Sequence, residues 1–380
     1  MTRFLICLGL ALCVPGAAPS RARNQESLKN ETAQAVRRAV HFLEKSQDSS
    51  GAIGDRENPA ITALAVLAIL GDPVASKKAF PETAGKAYDF IASCAKPDGG
   101  IYVKGLANYN TALCLTGLMA HPRGDYRPLA RKARSFVIGL QQDNDEPGKP
   151  DHDHDGGVGY GGSSKYSDLS NTHFALEALY YAQALDAEQP PAAGERRLNY
   201  EAAIAFVSRC QNLKSGNDQA WVSEDAKNKG GFVYEPGISK AGEERLPDGR
   251  VALRSTGSIS YAGLLSLIYA KMDRNDPRVK AVLEWLQKNY ALEENPGLGQ
   301  QGLFYYYHSM AKALTLLNIA ELTLTDGSKA DWREQLGNKL LREQKPDGSW
   351  INGTGRWRES DPIYTTALAA LTLIHIHNSL

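Results

Sequence analysis

Near the end of the 380-residue chain lies the segment LLREQKPDGSW, from Leu340 to Trp350. A helix-like stretch ends in Gln344, and a Pro-Asp-Gly turn follows it directly. Glycine suits such a chain reversal because it adopts positive φ without steric cost. The segment therefore predicts a helix, a tight turn and then the approach to a second helix.

The same arrangement recurs along the chain, so the sequence is a repeat. In clear copies a Phe-aliphatic pair is followed by three residues and then Gln, as in Phe42 to Gln47 and Phe136 to Gln141. The pairs of all copies, weaker ones included, begin at positions 42, 90, 136, 206, 285 and 339. These six copies predict one repeat domain over residues 23–380.

Each copy predicts two helices. The first carries the Phe and is amphipathic, as in residues 130–136, so it faces solvent on one side. The second follows the Gly-rich turn and is apolar nearly all round, which is typical of a buried helix. These buried stretches are residues 61–70, 111–119, 172–182, 261–270, 309–319 and 365–374. No segment sustains the alternation of a strand, so little sheet is expected.

A row of helical hairpins can form an open solenoid or a closed ring. A solenoid ends in a repeat with a polar outer face, but the last stretch, 365–374, is as apolar as the others. The stretch 61–70 can supply the apolar partner that it needs. We therefore predict an all-α fold, an (α/α)6 toroid of six helical hairpins.

The composition argues against one class of partner. The chain has 43 Lys and Arg against 43 Asp and Glu, so its formal net charge is zero. That balance argues against a nucleic-acid partner, which a strongly basic surface would attract. With 42% apolar residues the chain can bury a sizeable core.

Residues 1–22 have the order of a secretory signal peptide. Arg3 precedes an apolar run over residues 4–14, and small residues follow at 16–20. Eleven apolar residues are too few to span a bilayer as a helix. The expected location is secreted or periplasmic, with no transmembrane segment; an uncleaved anchor and lipidation at Cys13 stay open.

Three cysteines remain beyond the signal segment: Cys94, Cys114 and Cys210. Their spacing does not match a metal site. We expect them to be small buried hydrophobic residues.

The segment Leu340 to Trp350 resembles the QW repeat of squalene and terpenoid cyclases. The sixfold pattern resembles the toroid that those cyclases share with protein prenyltransferase β subunits. More narrowly, residues 168–175 and 294–308 resemble secreted bacterial prenyltransferase and squalene oxidase repeat proteins, a squalene cyclase C-terminal-like group without an established reaction. The resemblance covers about residues 30–380. It implies a central cavity that binds a lipid, an isoprenoid or another small ligand.

The chain departs from the enzymes of that superfamily at their reactive motifs. The cyclase acid motif D-x-D-D-T-A has its nearest match in residues 361–367, which keep one displaced acid, Asp361. Protein prenyltransferases use a Cys and a later His among their zinc ligands. Residues 304–308 contain no Cys, and no His stands beside Tyr364. We therefore predict no metal from the resemblance, and whether the protein is an enzyme stays open.

In such a ring the buried helices run parallel, so their N-termini share one mouth. Unpaired N–H groups and the helix dipoles make that mouth favourable for an anionic group. The candidate acids and bases there are Asp168, His173, Glu294 and His308. The candidate ligand-binding residues are Asn110, Asn171, Tyr261, Tyr305, Tyr306, Asp361 and Tyr364. Helix capping is the alternative for the Asn residues.

The run from Tyr305 to His308 cannot face one side of a helix, so some of its members should face the cavity. Tyrosine rings there can attract a cation, stack on a sugar or contact a lipid. Packing of the rings around a wide toroid is the structural alternative.

Asp151, Asp153 and Asp155, followed by Gly156, resemble the first half of a calcium loop. The twelfth position is Gly162, where such a loop needs Glu. The sequence therefore predicts calcium binding from half of the motif only, and no other cofactor is expected.

These observations predict a toroid whose central cavity binds a lipid, isoprenoid, glycan or other small-molecule ligand. Two alternatives remain. The first is an active terpenoid cyclase or prenyltransferase-like enzyme. The second is a carbohydrate-active enzyme, because (α/α)6 rings also host those, and it would need two carboxylates facing the ligand.

Overall fold

The computed structural model describes residues 18–75, 80–142, 152–161, 166–192 and 194–380, with side chains from residue 23 onward. This part of the chain is mostly α-helical. Most of the predicted signal segment, residues 1–17, lies outside the described residues.

Within the described residues, six helices are buried over most of their length, and we call them the inner helices. Each begins two to six residues earlier than the apolar stretch predicts, because the first turn also contains polar and aromatic residues. They are α2 (Pro59–Gly71), α4 (Ala107–Met119), α6 (Leu169–Ala182), α9 (Gly257–Tyr269), α11 (Leu303–Leu316) and α13 (Pro362–Ser379).

Six further helices of the described part of the chain alternate with them and bury one face only, and we call them the outer helices. In the third of them the buried residues include Ala130, Ala133 and Val137, which fall on one side of the helix. The outer helices are α1 (Ala18–Lys45), α3 (Glu82–Ser93), α5 (Arg127–Gly139), α8 (Tyr200–Arg209), α10 (Pro277–Lys288) and α12 (Trp332–Glu343). A short helix, α7 (Ala184–Glu188), follows α6.

The inner helices pack against one another in chain order, α2 on α4, α4 on α6, α6 on α9, α9 on α11 and α11 on α13. The last of them, α13, also packs against α2 and against α1. The series of contacts therefore returns to its start. The contact of α13 with α2 covers the apolar surface of the final helix.

The Gly-rich turns are attached to the inner helices by a repeated hydrogen bond. The backbone N–H just after each of five turns donates to a hydroxyl near the start of the inner helix that follows. The pairs are Ile53 with Thr62, Ile101 with Thr111, Val158 with Thr172, Phe232 with Ser260 and Trp350 with Thr366, at 2.9–3.1 Å. At Gly156, φ is +86° and an added Cβ would lie 1.8 Å from the Ala202 carbonyl oxygen, so only glycine fits.

Strands are few and short in the described residues. The antiparallel pair β1 (Glu243–Arg245) and β2 (Val251–Leu253) lies in a long connection before α9. A second pair, β3 (Glu321–Thr323) and β4 (Lys329–Asp331), joins α11 to α12. The connection before α9 is fixed to the start of α6, because the Leu169 N–H donates to the Tyr234 carbonyl at 2.8 Å.

Cys94, Cys114 and Cys210 are buried and unpaired, as the sequence predicts. Within the described part of the chain, no helix combines the length and apolarity that a bilayer span needs.

Candidate functional site

A cavity of about 280 Å³ lies at the N-terminal ends of the inner helices. The third residue of every inner helix lines it, which places the six helix starts around one mouth. These residues are Ile61, Tyr109, Asn171, Ile259, Tyr305 and Tyr364. The expectation that the inner helices present their N-termini on the same side therefore agrees with the structure.

Four rings form the floor of this cavity, and we call them the aromatic layer: Tyr109, Phe174, Tyr305 and Tyr364. The same four side chains also line a smaller space deeper in the ring of helices. The ring centroids of Tyr109 and Phe174 are 5.0 Å apart, nearly edge to face, and those of Phe174 and Tyr305 are 5.9 Å apart. The layer offers flat apolar surface with hydroxyl groups at its edge.

Two loops complete the mouth. Trp357 and Arg358 line it from the loop before α13, and both have left-handed φ, 56° and 66°. Such backbone persists only where the surroundings fix it. Here the Glu359 carboxylate accepts a hydrogen bond from the Tyr305 N–H at 2.8 Å, and the Trp357 ring packs against Gly302. The loop is therefore held on the start of α11.

The mouth carries two cationic groups. Arg358 Nη1 lies 2.8 Å from Asp55 Oδ2, so its charge is partly compensated. Lys240 Nζ lies 4.1 Å from the Tyr234 ring centroid, and none of the described residues forms an ion pair with it. Together with the helix N-termini these groups make the rim favourable for an anionic group.

Asp168 lies behind the cavity wall and is linked to it by two tyrosines. Its Oδ1 accepts the Asn171 N–H at 2.9 Å, and its Oδ2 accepts the Asn171 side-chain amide at 2.7 Å. The nearby Tyr234 hydroxyl also favours the ionised form of the carboxylate, and the Tyr160 and Tyr234 hydroxyls are 2.9 Å apart. Burial raises the pKa of Asp168 to about 6, against the opposing effect of these hydrogen bonds.

His173 and His308 do not lie at the mouth. Both are buried below the aromatic layer, in the deeper space, together with Lys312. We call this space the lower chamber. Burial lowers the pKa of His173 to about 4 and that of His308 well below its usual range, so both imidazoles are neutral at neutral pH. The prediction that they serve as bases at the rim is not supported by their position.

Asn110 and Asp361 cap helices and do not line the cavity. Asn110 Oδ1 accepts the Ala60 N–H of the neighbouring α2 at 3.1 Å, and Asp361 Oδ1 accepts the Ile363 N–H at 2.9 Å. Each satisfies a backbone donor that the helix itself leaves unpaired. For Asn110 the capping alternative accounts for its buried side chain.

Three other candidates lie outside the lining. Tyr261 is fully buried and packs against Tyr306 with ring centroids 5.7 Å apart. The Tyr306 hydroxyl donates to the Ala291 carbonyl at 3.0 Å, on the outer side of α11. Glu294 is exposed on its turn. Of the residues predicted to bind ligand, Asn171, Tyr305 and Tyr364 are those that line the cavity.

Comparison with solved structures identifies the fold. A type II terpene cyclase from Scytonema, MstE, determined as a variant in complex with its substrate geranylgeranyl dihydroxybenzoate, is 14% identical in sequence. The match covers 93% of this chain and 99% of that one, with a TM-score of 0.56. The apo form of MstE is 15% identical, with the same coverage and a TM-score of 0.55. The fold is terpene-cyclase-like.

No protein-family model matches the chain, and no curated protein matches it either. At this level of identity the comparison shows a shared fold and assigns no role to any residue of this chain.

Most of the residues that line the mouth were not predicted from the sequence. Tyr109, Ile61 and Ile259 could have been predicted from the repeat, because each is the third residue of an inner helix. Several others lie on loops or one turn further along a helix, where no repeat marks them. They include Tyr160, Phe174, Tyr234, Lys240, Trp357 and Arg358.

The predicted calcium loop is only partly described. Asp151 lies outside the described residues. The Asp155 carboxylate accepts the His152 N–H at 2.7 Å. Among the described residues, no group of three or more His, Cys, Asp or Glu side chains is placed to hold a metal ion. Calcium binding therefore stays a prediction.

Proposed function

We propose that the closed cycle of inner helices and the alternating outer helices form an (α/α)6 toroid of six helical hairpins, in one domain over residues 23–380. The contact of α13 with α2 supports closure. We also propose that residues 1–22 are a signal peptide, that the protein is secreted or periplasmic, and that it belongs with the squalene cyclase-like repeat proteins. The order of charged, apolar and small residues in that segment supports export.

The function that we propose is binding of an amphipathic lipid or isoprenoid with an anionic end. The observation that carries it is the cavity of about 280 Å³, with an aromatic layer as its floor and Lys240 and Arg358 at its rim. An apolar chain gains free energy by leaving water for such a surface. An anionic end placed at the rim meets two cations and the starts of the inner helices.

The solved relatives support the same ligand class. MstE binds geranylgeranyl dihydroxybenzoate, a molecule with an isoprenoid chain. A carbohydrate-active enzyme finds less support, since the described lining of the cavity contains no Asp or Glu.

Binding can be tested by calorimetry with geranylgeranyl diphosphate, palmitate, geranylgeraniol and maltohexaose as separate ligands. We expect the two anionic lipids to bind, and the neutral alcohol to bind more weakly. The double variant Lys240→Ala, Arg358→Ala should weaken anionic lipids about tenfold or more, because each close charge contributes on the order of 1 kcal/mol. Lys280→Ala, on the outer helix α10, is the matched control. Binding of the sugar alone would contradict the proposal.

Acid–base catalysis is a second candidate, and the Asp168, Tyr234 and Tyr160 series favours it. A carboxyl group with a pKa near 6 can hold or release a proton close to neutral pH, and the two hydroxyls connect it to the cavity. If the bound lipid is converted, Asp168→Asn and Tyr234→Phe should each abolish turnover while leaving ligand affinity within about twofold. Unaltered turnover in both variants would exclude this role.

A further inference from the structure

The lower chamber holds buried polar atoms that the proposed function does not use. Among the described residues, six atoms in or beside the chamber lack a hydrogen-bond partner: both ring nitrogens of His173, Nδ1 of His308, the hydroxyls of Tyr305 and Ser309, and Oε2 of the adjacent Glu177. Buried polar groups are nearly always paired with protein or with ordered water. Six unpaired atoms on five neighbouring side chains therefore indicate that a further polar group belongs there.

The chamber offers both donors and acceptors. Lys312 Nζ lies 2.6 Å from Glu177 Oε1, and His173 Nε2 lies 3.6 Å from Glu177 Oε2. The side chains of Glu177 and Lys312 are only 4% and 11% exposed. Because the imidazoles are neutral, each has one N–H and one acceptor nitrogen. These donors and acceptors can form all the hydrogen bonds that a hydroxyl or a carbonyl oxygen needs.

The room in the chamber fits one such atom. Its free volume is about 10 Å³, close to the space that one water molecule occupies by this measure. Its roof is the aromatic layer, whose four rings line the cavity above and the chamber below. Phe174 and Tyr305 are in contact, with ring centroids 5.9 Å apart, so a chain that crosses the layer here has to push these two rings apart to bring its terminal atom to His308 and Lys312.

We propose that the lower chamber is a polar subsite for the terminal oxygen, a hydroxyl or carbonyl, of a ligand whose apolar body crosses the aromatic layer. This inference rests on the proposed function, because it assigns the two ends of the same ligand. The anionic end stays at Lys240 and Arg358, and the distal oxygen meets the imidazoles below. The ligand class is thus an anionic lipid or isoprenoid that is oxygenated at its far end.

The test compares saturated fatty acids with their ω-hydroxy counterparts, in matched pairs of eight to sixteen carbons, by calorimetry. In the unmodified protein we expect the ω-hydroxy acid to bind about tenfold tighter at one or two chain lengths, where the hydroxyl reaches the unpaired atoms. His308→Leu should remove most of this preference. His152→Leu, the same change on an exposed residue, should keep it.

A measurement on the unmodified protein guards against a variant that fails to fold. With ¹⁵N-labelled histidine, the ω-hydroxy acid should shift the ring resonances of His173 or His308, and the plain acid of the same length should not. Equal affinity of the two acids at every length, or a preference that His308→Leu leaves intact, would overturn the subsite. A chamber that keeps its own water would give that result. If no acid binds at all, the proposed function fails, and the subsite fails with it.

Discussion

The Gln344 side-chain amide donates to the Ala35 carbonyl at 2.9 Å, across 309 residues of sequence. The same nitrogen donates to the Gly348 carbonyl of its own turn at 3.0 Å. Gln47, Gln141 and Gln211 make the equivalent pair of bonds, each to its own turn and to the outer helix of the next copy. For Gln344 the next copy is the first one, so the repeated glutamine also joins the two ends of the domain.

Replacement of Gln344 by Ala should destabilise the domain by about 1–3 kcal/mol, since two partly buried carbonyl groups lose their donor. The free energy of unfolding, measured with urea, tests this. Gln189→Ala, at an exposed position, is the matched control and should change stability by less than about 0.5 kcal/mol. Equal effects of the two changes would show that the bond to α1 contributes nothing.

Gly348→Ala should destabilise the protein by more than about 2 kcal/mol. At this residue φ is +91°, and an added Cβ would lie 2.4 Å from the Arg38 carbonyl oxygen on α1. Gly353→Ala, five residues later and with open space around it, is the control. Thermal unfolding of the two variants decides the matter; a Gly348→Ala protein as stable as Gly353→Ala would mean that α1 does not lie against this turn.

Much of the architecture could be predicted because it rests on local patterns. Apolar residues all round a stretch of 10 mark a helix that must be covered on every side, and Gly348 marks the turn that precedes such a stretch. The apolar character of residues 365–374 even predicted their contact with α2, since an uncovered end would be unfavourable. Helix starts were placed too late, because polar first turns hide the periodicity.

The site was harder to predict because it depends on which way each side chain of a helix points. Tyr305 faces the cavity, whereas its neighbour Tyr306 faces outward, and one step of about 100° separates them. His308 returns to the inner side but lies a turn deeper, below the aromatic layer. Lys240 and Trp357 come from connections between repeats, where no periodicity constrains their position.

The buried pair of Glu177 and Lys312 gives a third prediction. Burial opposes the charge on Glu177, but the charge and the hydrogen bond of Lys312 outweigh it and leave the pKa of Glu177 below its usual value. Lys312→Met should cost about 3–5 kcal/mol, because it leaves a buried carboxylate unpaired. The double variant Glu177→Leu, Lys312→Met should recover most of that loss.

A double-mutant cycle at neutral pH, with unfolding measured by urea, checks this coupling. If the double variant is as unstable as the sum of the two single variants, the two charges do not interact. The control is Glu82→Leu with Lys86→Met, an exposed pair on α3, for which the coupling should be below about 1 kcal/mol.

The last prediction concerns the dependence of stability on pH. Asp168 has a folded-state pKa of about 6 against an ordinary value of 3.8. Between these two values the unfolded chain loses the proton while the folded protein keeps it, so the contribution of Asp168 to stability falls as pH rises. The loss should begin near pH 4, end near pH 6 and amount to about 3 kcal/mol.

Asp168→Asn removes this titration and keeps an oxygen that can accept the Asn171 N–H. Relative to the unmodified protein, the variant should therefore gain about 3 kcal/mol between pH 4 and pH 7, as measured by urea unfolding at each pH. Asp276→Asn is the control. Asp276 also caps a helix, but the hydrogen bond from the Arg278 side chain lowers its pKa below 3.8. Its contribution to stability is therefore lost only as pH falls below about 4, and the Asp276→Asn difference should stay nearly flat between pH 4 and pH 7. A stability difference between Asp168→Asn and the unmodified protein that stays flat with pH would mean that the Asp168 carboxylate is already ionised in the folded protein. In that case the proton on which the acid–base candidate depends would be absent.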